Sequence, residues 1–85
     1  MYFVYVLKHS DTKQIYIGKT SNIKQRLREH NAGRQTATVR KTGGWNLVYT
    51  EIYKNKSDAD DREIKLKQHG RAKQELLKRI QASLS

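Results

Sequence analysis

Cysteine and proline are absent from the 85 residues, and phenylalanine, tryptophan and methionine occur once each. Without cysteine there is no disulfide staple, no thiolate zinc site and no cysteine nucleophile, which suits a reducing compartment. Without proline no Pro-marked linker divides the chain, and no internal repeat or low-complexity stretch is present. The longest apolar run, Tyr2 to Leu7, falls far short of the roughly 18 residues that cross a bilayer. It precedes no small-residue cleavage site, so no signal peptide is read. A soluble, cytoplasmic protein is expected. Hydrophobic residues make up 35% of the chain, and a chain of this size buries only about 60–65% of its unfolded surface. One modest core follows, and residues 1–85 are read as a single domain.

Acidic residues are also scarce. Eight Asp and Glu face 18 Lys and Arg, a formal charge of +10. The excess is concentrated between Lys24 and Lys41, where Lys24, Arg26, Arg28, Arg34, Arg40 and Lys41 meet only Glu29. Such a field favours a polyanion, and nucleic acid is the usual one. The competing reading is that the charge serves solubility. A membrane surface is not expected, because no helix sets a strongly apolar face against a Lys/Arg face.

Residues 2–8 are β-branched and aromatic with both alternating faces apolar, which predicts a central strand. A polar turn follows, then a second strand over Gln14–Lys19. Pairing Lys8 with Lys13 makes a hairpin that sets Tyr5 opposite or diagonal to Tyr16, within cross-strand reach; a register slip of one residue would put them on opposite faces. Asn22 followed by Gln25 predicts a capped helix to about His30, stopped near Gly33. Residues 34–44 read as an exposed basic loop and Trp45–Tyr53 as a third strand. Ser57, with Asp60 three later, predicts the cap of a second helix ending near Gly70. A third helix is expected from Arg71 to about Ala82. The order is β-β-α-β-α-α, a small α+β domain with a three-stranded antiparallel-type sheet flanked by helices.

Several polar residues lie where packing alone would choose otherwise. Glu63 shares a helical stripe with Ala59, Leu66 and Gly70, at about 100° per residue. A carboxylate on a core-facing stripe is costly unless it is paired or holds a metal. The alternative is a rim Glu paired with Arg62 or Lys67. Arg26 and His30 border the stripe of Ile23 and Leu27, aimed toward the sheet. Arg26 is suited to clamp a phosphate through two hydrogen bonds; the alternatives are a surface Arg and a packed His. Tyr5 and Tyr16 could be ordinary strand tyrosines. Gly18, on the face of Tyr16, would leave a concavity beside the phenol, with the charge of Lys19 at its mouth. Together these residues supply the needs of phosphodiester hydrolysis: a base, positive charge and a metal ligand. Tyrosine serves as the base only if nearby cations pull its hydroxyl pKa down from about 10. Arg26, Lys19 and a metal on Glu63 would do so.

The pattern Val4-Tyr5-Val6, Tyr16-Ile17-Gly18-Lys19, Ile23-x-x-Arg26-Leu27-x-x-His30-Asn31, Leu47-Val48-Tyr49-Thr50-Glu51 and Ala59-x-x-Arg62-Glu63-x-x-Leu66-Lys67 resembles the GIY-YIG nuclease domain of the small stand-alone bacterial type. Val4 stands where the motif has its first Gly, and the Asn that several members carry after the Glu is missing beyond Asn55. The resemblance implies a metal-dependent DNA endonuclease. In it Tyr16 would be the general base, and Tyr5 would order water or phosphate. Arg26 would contact the scissile phosphate, and Glu63 would be the single ligand of Mg2+ or Mn2+. Lys19 and His30 would be auxiliary. DNA is the implied partner, with structured or damaged DNA and RNA left open. Arg34, Arg40 and Lys41 are candidate backbone contacts. The alternative is a non-catalytic basic nucleic-acid-binding module on the same fold.

Overall fold

The computed structural model describes residues 1–32, 44–68 and 70–85. Arg34, Arg40, Lys41 and the expected stop at Gly33 lie outside the described residues. The elements are β1 (Tyr2–His9), β2 (Ile15–Thr20), α1 (Ile23–Asn31), β3 (Trp45–Tyr53), α2 (Lys56–Lys67), α3 (Arg71–Arg79) and α4 (Gln81–Leu84). The strands form one antiparallel sheet in the order β2-β1-β3. β1 is therefore central, as its doubly apolar pattern predicts, and Val4 to Leu7 are all buried.

The two faces of β1 do different work. Val4 and Val6 join Ile17, Ala59, Leu66, Leu76 and Ile80 in the core between the sheet and the helices α2 and α3. Burying a side chain such as Leu66 contributes about 1.5–3 kcal/mol. Tyr5, Leu7 and His9 are buried on the opposite face, which carries the polar chemistry.

Four local features depart from the predicted elements. Lys8 pairs with Ile15, not Lys13. The longer turn is built by the His9 imidazole, whose Nδ1 accepts the backbone N–H groups of Asp11 and Thr12. Lys13 takes a positive φ of 62° to close it. Second, α2 is capped by Asn55 rather than Ser57: Asn55 Oδ1 accepts from both the N–H and the hydroxyl of Ser57. Third, α2 ends at Lys67, and Gly70 stands instead at the N-terminus of α3. Fourth, the last helix breaks at Ile80, which leaves helical geometry while its side chain stays in the core, so α4 is a separate turn. The predicted cap of α1 is present, with Asn22 Oδ1 accepting from Gln25 N at 3.0 Å.

Between Val6 and Leu7 the β1–β3 register slips by one: Val6 faces Tyr49 but Leu7 faces Leu47. A bulge of this kind reverses which side chains share a face. It moves Trp45, the partner of His9, onto the face of Tyr5.

Candidate active site

Tyr5 pairs with Gly18 and Leu7 with Tyr16, so both tyrosines and the glycine share one face. The two phenol rings lie 6.1 Å apart and close to parallel at 27°. A Cβ on Gly18 would sit 2.5 Å from Tyr5 Oη and 2.9 Å from Tyr16 Cε1. The space over Gly18 is thus filled by the Tyr5 phenol and is not the open concavity expected beside Tyr16.

Helix α1 brings two side chains onto these rings, one turn apart. Arg26 Nε donates to Tyr5 Oη at 3.2 Å, and its Nη1 donates to Glu29 at 3.2 Å. His30 sets its ring edge-on to Tyr16, 4.6 Å between centroids, with Nε2 3.4 Å from Tyr5 Oη. Burial pushes the Tyr5 hydroxyl pKa above its ordinary value, and the opposing hydrogen bond from Arg26 does not overcome it. Burial, then the Arg26 charge, lowers the pKa of His30 below 6.5, with Glu29 opposing. A neutral imidazole and a protonated phenol fit a chain in which Arg26 donates to Tyr5 and Tyr5 donates to His30 Nε2. Hydrogen bonding to Tyr5, followed by that to Tyr16, raises the Arg26 pKa further and keeps it cationic.

Lys19 follows Gly18 directly but pairs with Val4, so it belongs to the opposite face. Its ammonium donates to Asp60 of α2, a carboxylate shared with Lys56. Lys19 is therefore not gathered with the tyrosines. Glu63, one turn beyond Asp60, is only 21% exposed at its side chain, and its Oε2 lies 3.3 Å from Lys67 Nζ. Lys67 Nζ is in turn 5.9 Å from the centre of the Tyr16 ring. Glu63 is thus linked to Tyr16 through Lys67, and its charge acts on both Tyr5 and Lys19. Arg62, the preceding residue, holds α2 against β3 through two hydrogen bonds to Glu51, at 2.9 and 3.0 Å. Tyr49 and Tyr53 donate to the same carboxylate.

Among the described residues no group of three His, Cys, Asp or Glu could cage a metal. A single, partly covered carboxylate does suit magnesium or manganese when water and phosphate fill the remaining positions. The donor set at Glu63 fits that coordination.

Two residues of this face were given no role from the sequence, although Asn31 stands in the quoted pattern. Trp45 meets the rings of His9, His30 and Tyr16 edge-on at 5.2, 5.9 and 6.2 Å. Asn31 clamps the Trp45 backbone with its amide, accepting from N at 2.7 Å and donating to O at 3.1 Å. The adjacency of His30 and Asn31 was the available signal, but the bulge that turns Trp45 inward has no local signature.

Comparison with known proteins places the chain in a family. Residues 1–76 match the GIY-YIG catalytic domain. The chain belongs to the GIY-YIG family. Within it, a UPF0213 protein of Natronomonas pharaonis is 40% identical over 76 residues, covering 89% of this chain and 88% of the relative. A UPF0213 protein of Clostridium perfringens is 39% identical over 67 residues, covering 79% and 71%. The solution NMR structure of a UPF0213 protein from Bacillus halodurans superposes with a TM-score of 0.54 at 31% identity, over 91% of this chain and 82% of that one. The α+β GIY-YIG fold is common to both. A domain of this family carries nuclease potential toward nucleic acid. Among the described residues no helix is long and apolar enough to cross a membrane.

Proposed function

We propose that the chain is a divalent-metal-dependent endonuclease that hydrolyses DNA phosphodiester bonds, its activity carried by one GIY-YIG domain over residues 1–85. The observation that supports this most is the convergence of Tyr5, Tyr16, Arg26 and His30 within hydrogen-bond and ring-contact range, with Glu63 joined to Tyr16 through Lys67. Exposure divides the roles. Tyr5 is 1% exposed and holds Arg26 and His30 in place. Arg26, at 43% side-chain exposure, is open to the scissile phosphate and would stabilise its developing charge. Tyr16, on the edge strand β2, would act as the general base by accepting a proton of the attacking water on its phenolate oxygen. A Mg2+ or Mn2+ ion held by Glu63 would supply Lewis-acid stabilisation of the leaving oxygen. Lys19, on the opposite face of the sheet, shares Asp60 with Lys56, and the two ammoniums would leave net positive charge there for the DNA backbone.

Supercoiled plasmid tests the reading. The wild type should nick it with Mg2+ or Mn2+. Glu63→Ala should abolish nicking with DNA affinity nearly intact, and Arg26→Ala should slow it by about 10²-fold or more. Undiminished nicking by Glu63→Ala would remove Glu63 from the mechanism. The formal charge of +10 favours a second reading, a basic binding module. That reading requires salt-sensitive DNA binding and no nicking at any metal concentration.

A further inference from the structure

We propose that Lys67 is the resident counter-ion of Glu63 and sets the affinity of that carboxylate for a divalent cation. The inference rests on the reading of Glu63 as metal ligand. Glu63 and Lys67 are one helical turn apart, as many surface pairs are, but their surroundings differ from those of an ordinary pair. Arg71 and Glu75 on α3 also pair at i,i+4, yet their side chains are 90% and 60% exposed, where such pairs contribute little. Glu63 is 21% exposed, so water screens its charge poorly. The neighbouring carboxylate, Asp60, already holds Lys19 and Lys56. Among the described residues, Lys67 is the ion-pair partner of Glu63.

The ammonium also lies over the Tyr16 ring. Its nitrogen is 3.3 Å from the carboxylate and 5.9 Å from the centre of the Tyr16 ring, so a cation held by Glu63 would compete with it for that carboxylate. Lys67 is half exposed and carries a long, flexible stem. Lys67 would yield Glu63 to a divalent cation, and its freed ammonium would then be at hand for the substrate phosphate. Binding of a polyanion draws the ammonium the same way. Metal and DNA each relieve the competition faced by the other, a positive coupling between two ligands.

The test measures Mn2+ binding to the metal-free protein by electron paramagnetic resonance, without DNA. Lys67→Gln should bind Mn2+ about three- to fivefold more tightly than wild type. Lys67→Arg, which keeps the charge, should stay near wild type. Lys65→Gln removes the same formal charge from an exposed side chain and should change affinity by less than about twofold. Glu63→Gln should abolish this binding. Circular dichroism confirms that each variant is folded. The proposal is overturned if Lys67→Gln matches wild type, if Lys65→Gln gains as much, or if neither wild type nor Lys67→Gln binds Mn2+. Glu63-dependent binding with no gain in Lys67→Gln defeats this inference alone. Unchanged binding in Glu63→Gln defeats the metal-ligand reading with it.

Discussion

Replacing Gly18 by alanine tests the packing of the site most directly. In a strand, alanine is ordinarily better than glycine by about 0.5–1 kcal/mol, because it restricts the unfolded chain. Here the added methyl would lie 2.5 Å from Tyr5 Oη, 2.6 Å from Tyr5 Cζ and 2.9 Å from Tyr16 Cε1. All three are inside van der Waals contact. The phenol has little room to retreat, since Arg26 and His30 hold its hydroxyl and Tyr16 lies beside its ring. Overpacking of a buried site costs about 1–3 kcal/mol. Tilting the phenol away adds about 1–1.5 kcal/mol for a weakened hydrogen bond. After the backbone gain, the expected net loss is about 2–3 kcal/mol. For a domain of this size that lowers Tm by about 10–20 °C. Urea titration gives the free energy and thermal circular dichroism gives Tm. In a Tyr5→Phe background, which lacks the nearest atom, the same substitution should cost about 1 kcal/mol less. A Gly18→Ala protein as stable as wild type, or additive behaviour in the double variant, would refute the reasoning.

Two further outcomes follow from charge. Arg62→Ala strips the cation from Glu51, whose side chain is 15% exposed, leaving it the two tyrosine hydroxyls. Urea denaturation should show a loss of about 2–3 kcal/mol, less than a fully buried pair would cost because Arg62 is partly exposed. Acidification should weaken the fold through His30. Its folded pKa is held below 6.5 by burial, then by Arg26. Below pH 6.5 the unfolded chain takes up a proton that the folded chain refuses, so stability falls as pH drops through that range. Stability measured from pH 8 to pH 5 should decline less steeply in His30→Gln than in wild type, and equal slopes would contradict the assignment.

Much of this site was legible because parity is easier to read than register. Burying Ile17 in the core with Val4 and Val6 forces its neighbours Tyr16 and Gly18 to the other face, whatever the length of the turn. The His9 imidazole lengthens that turn by bonding two backbone N–H groups, a contact that residue propensities do not encode. It shifts the pairing by two residues, which leaves the faces unchanged, so Tyr5 still meets Tyr16. A shift of one residue, such as the bulge introduces in β3, does change faces. Trp45 therefore reached the site unannounced, whereas the tyrosines were expected there. The ionisation of Tyr5 was hidden for another reason: its sign depends on whether burial outweighs Arg26, and depth is a property of the assembled sheet. The partner of Lys19 was hidden in the same way, because Asp60 comes from a helix that meets β2 only once the chain is folded. A sequence thus reports which side chains share a surface more securely than which of them neutralise one another. For Glu63 the sequence left Arg62 and Lys67 as partners, and docking α2 on β3 commits Arg62 to Glu51 and leaves Lys67 to Glu63.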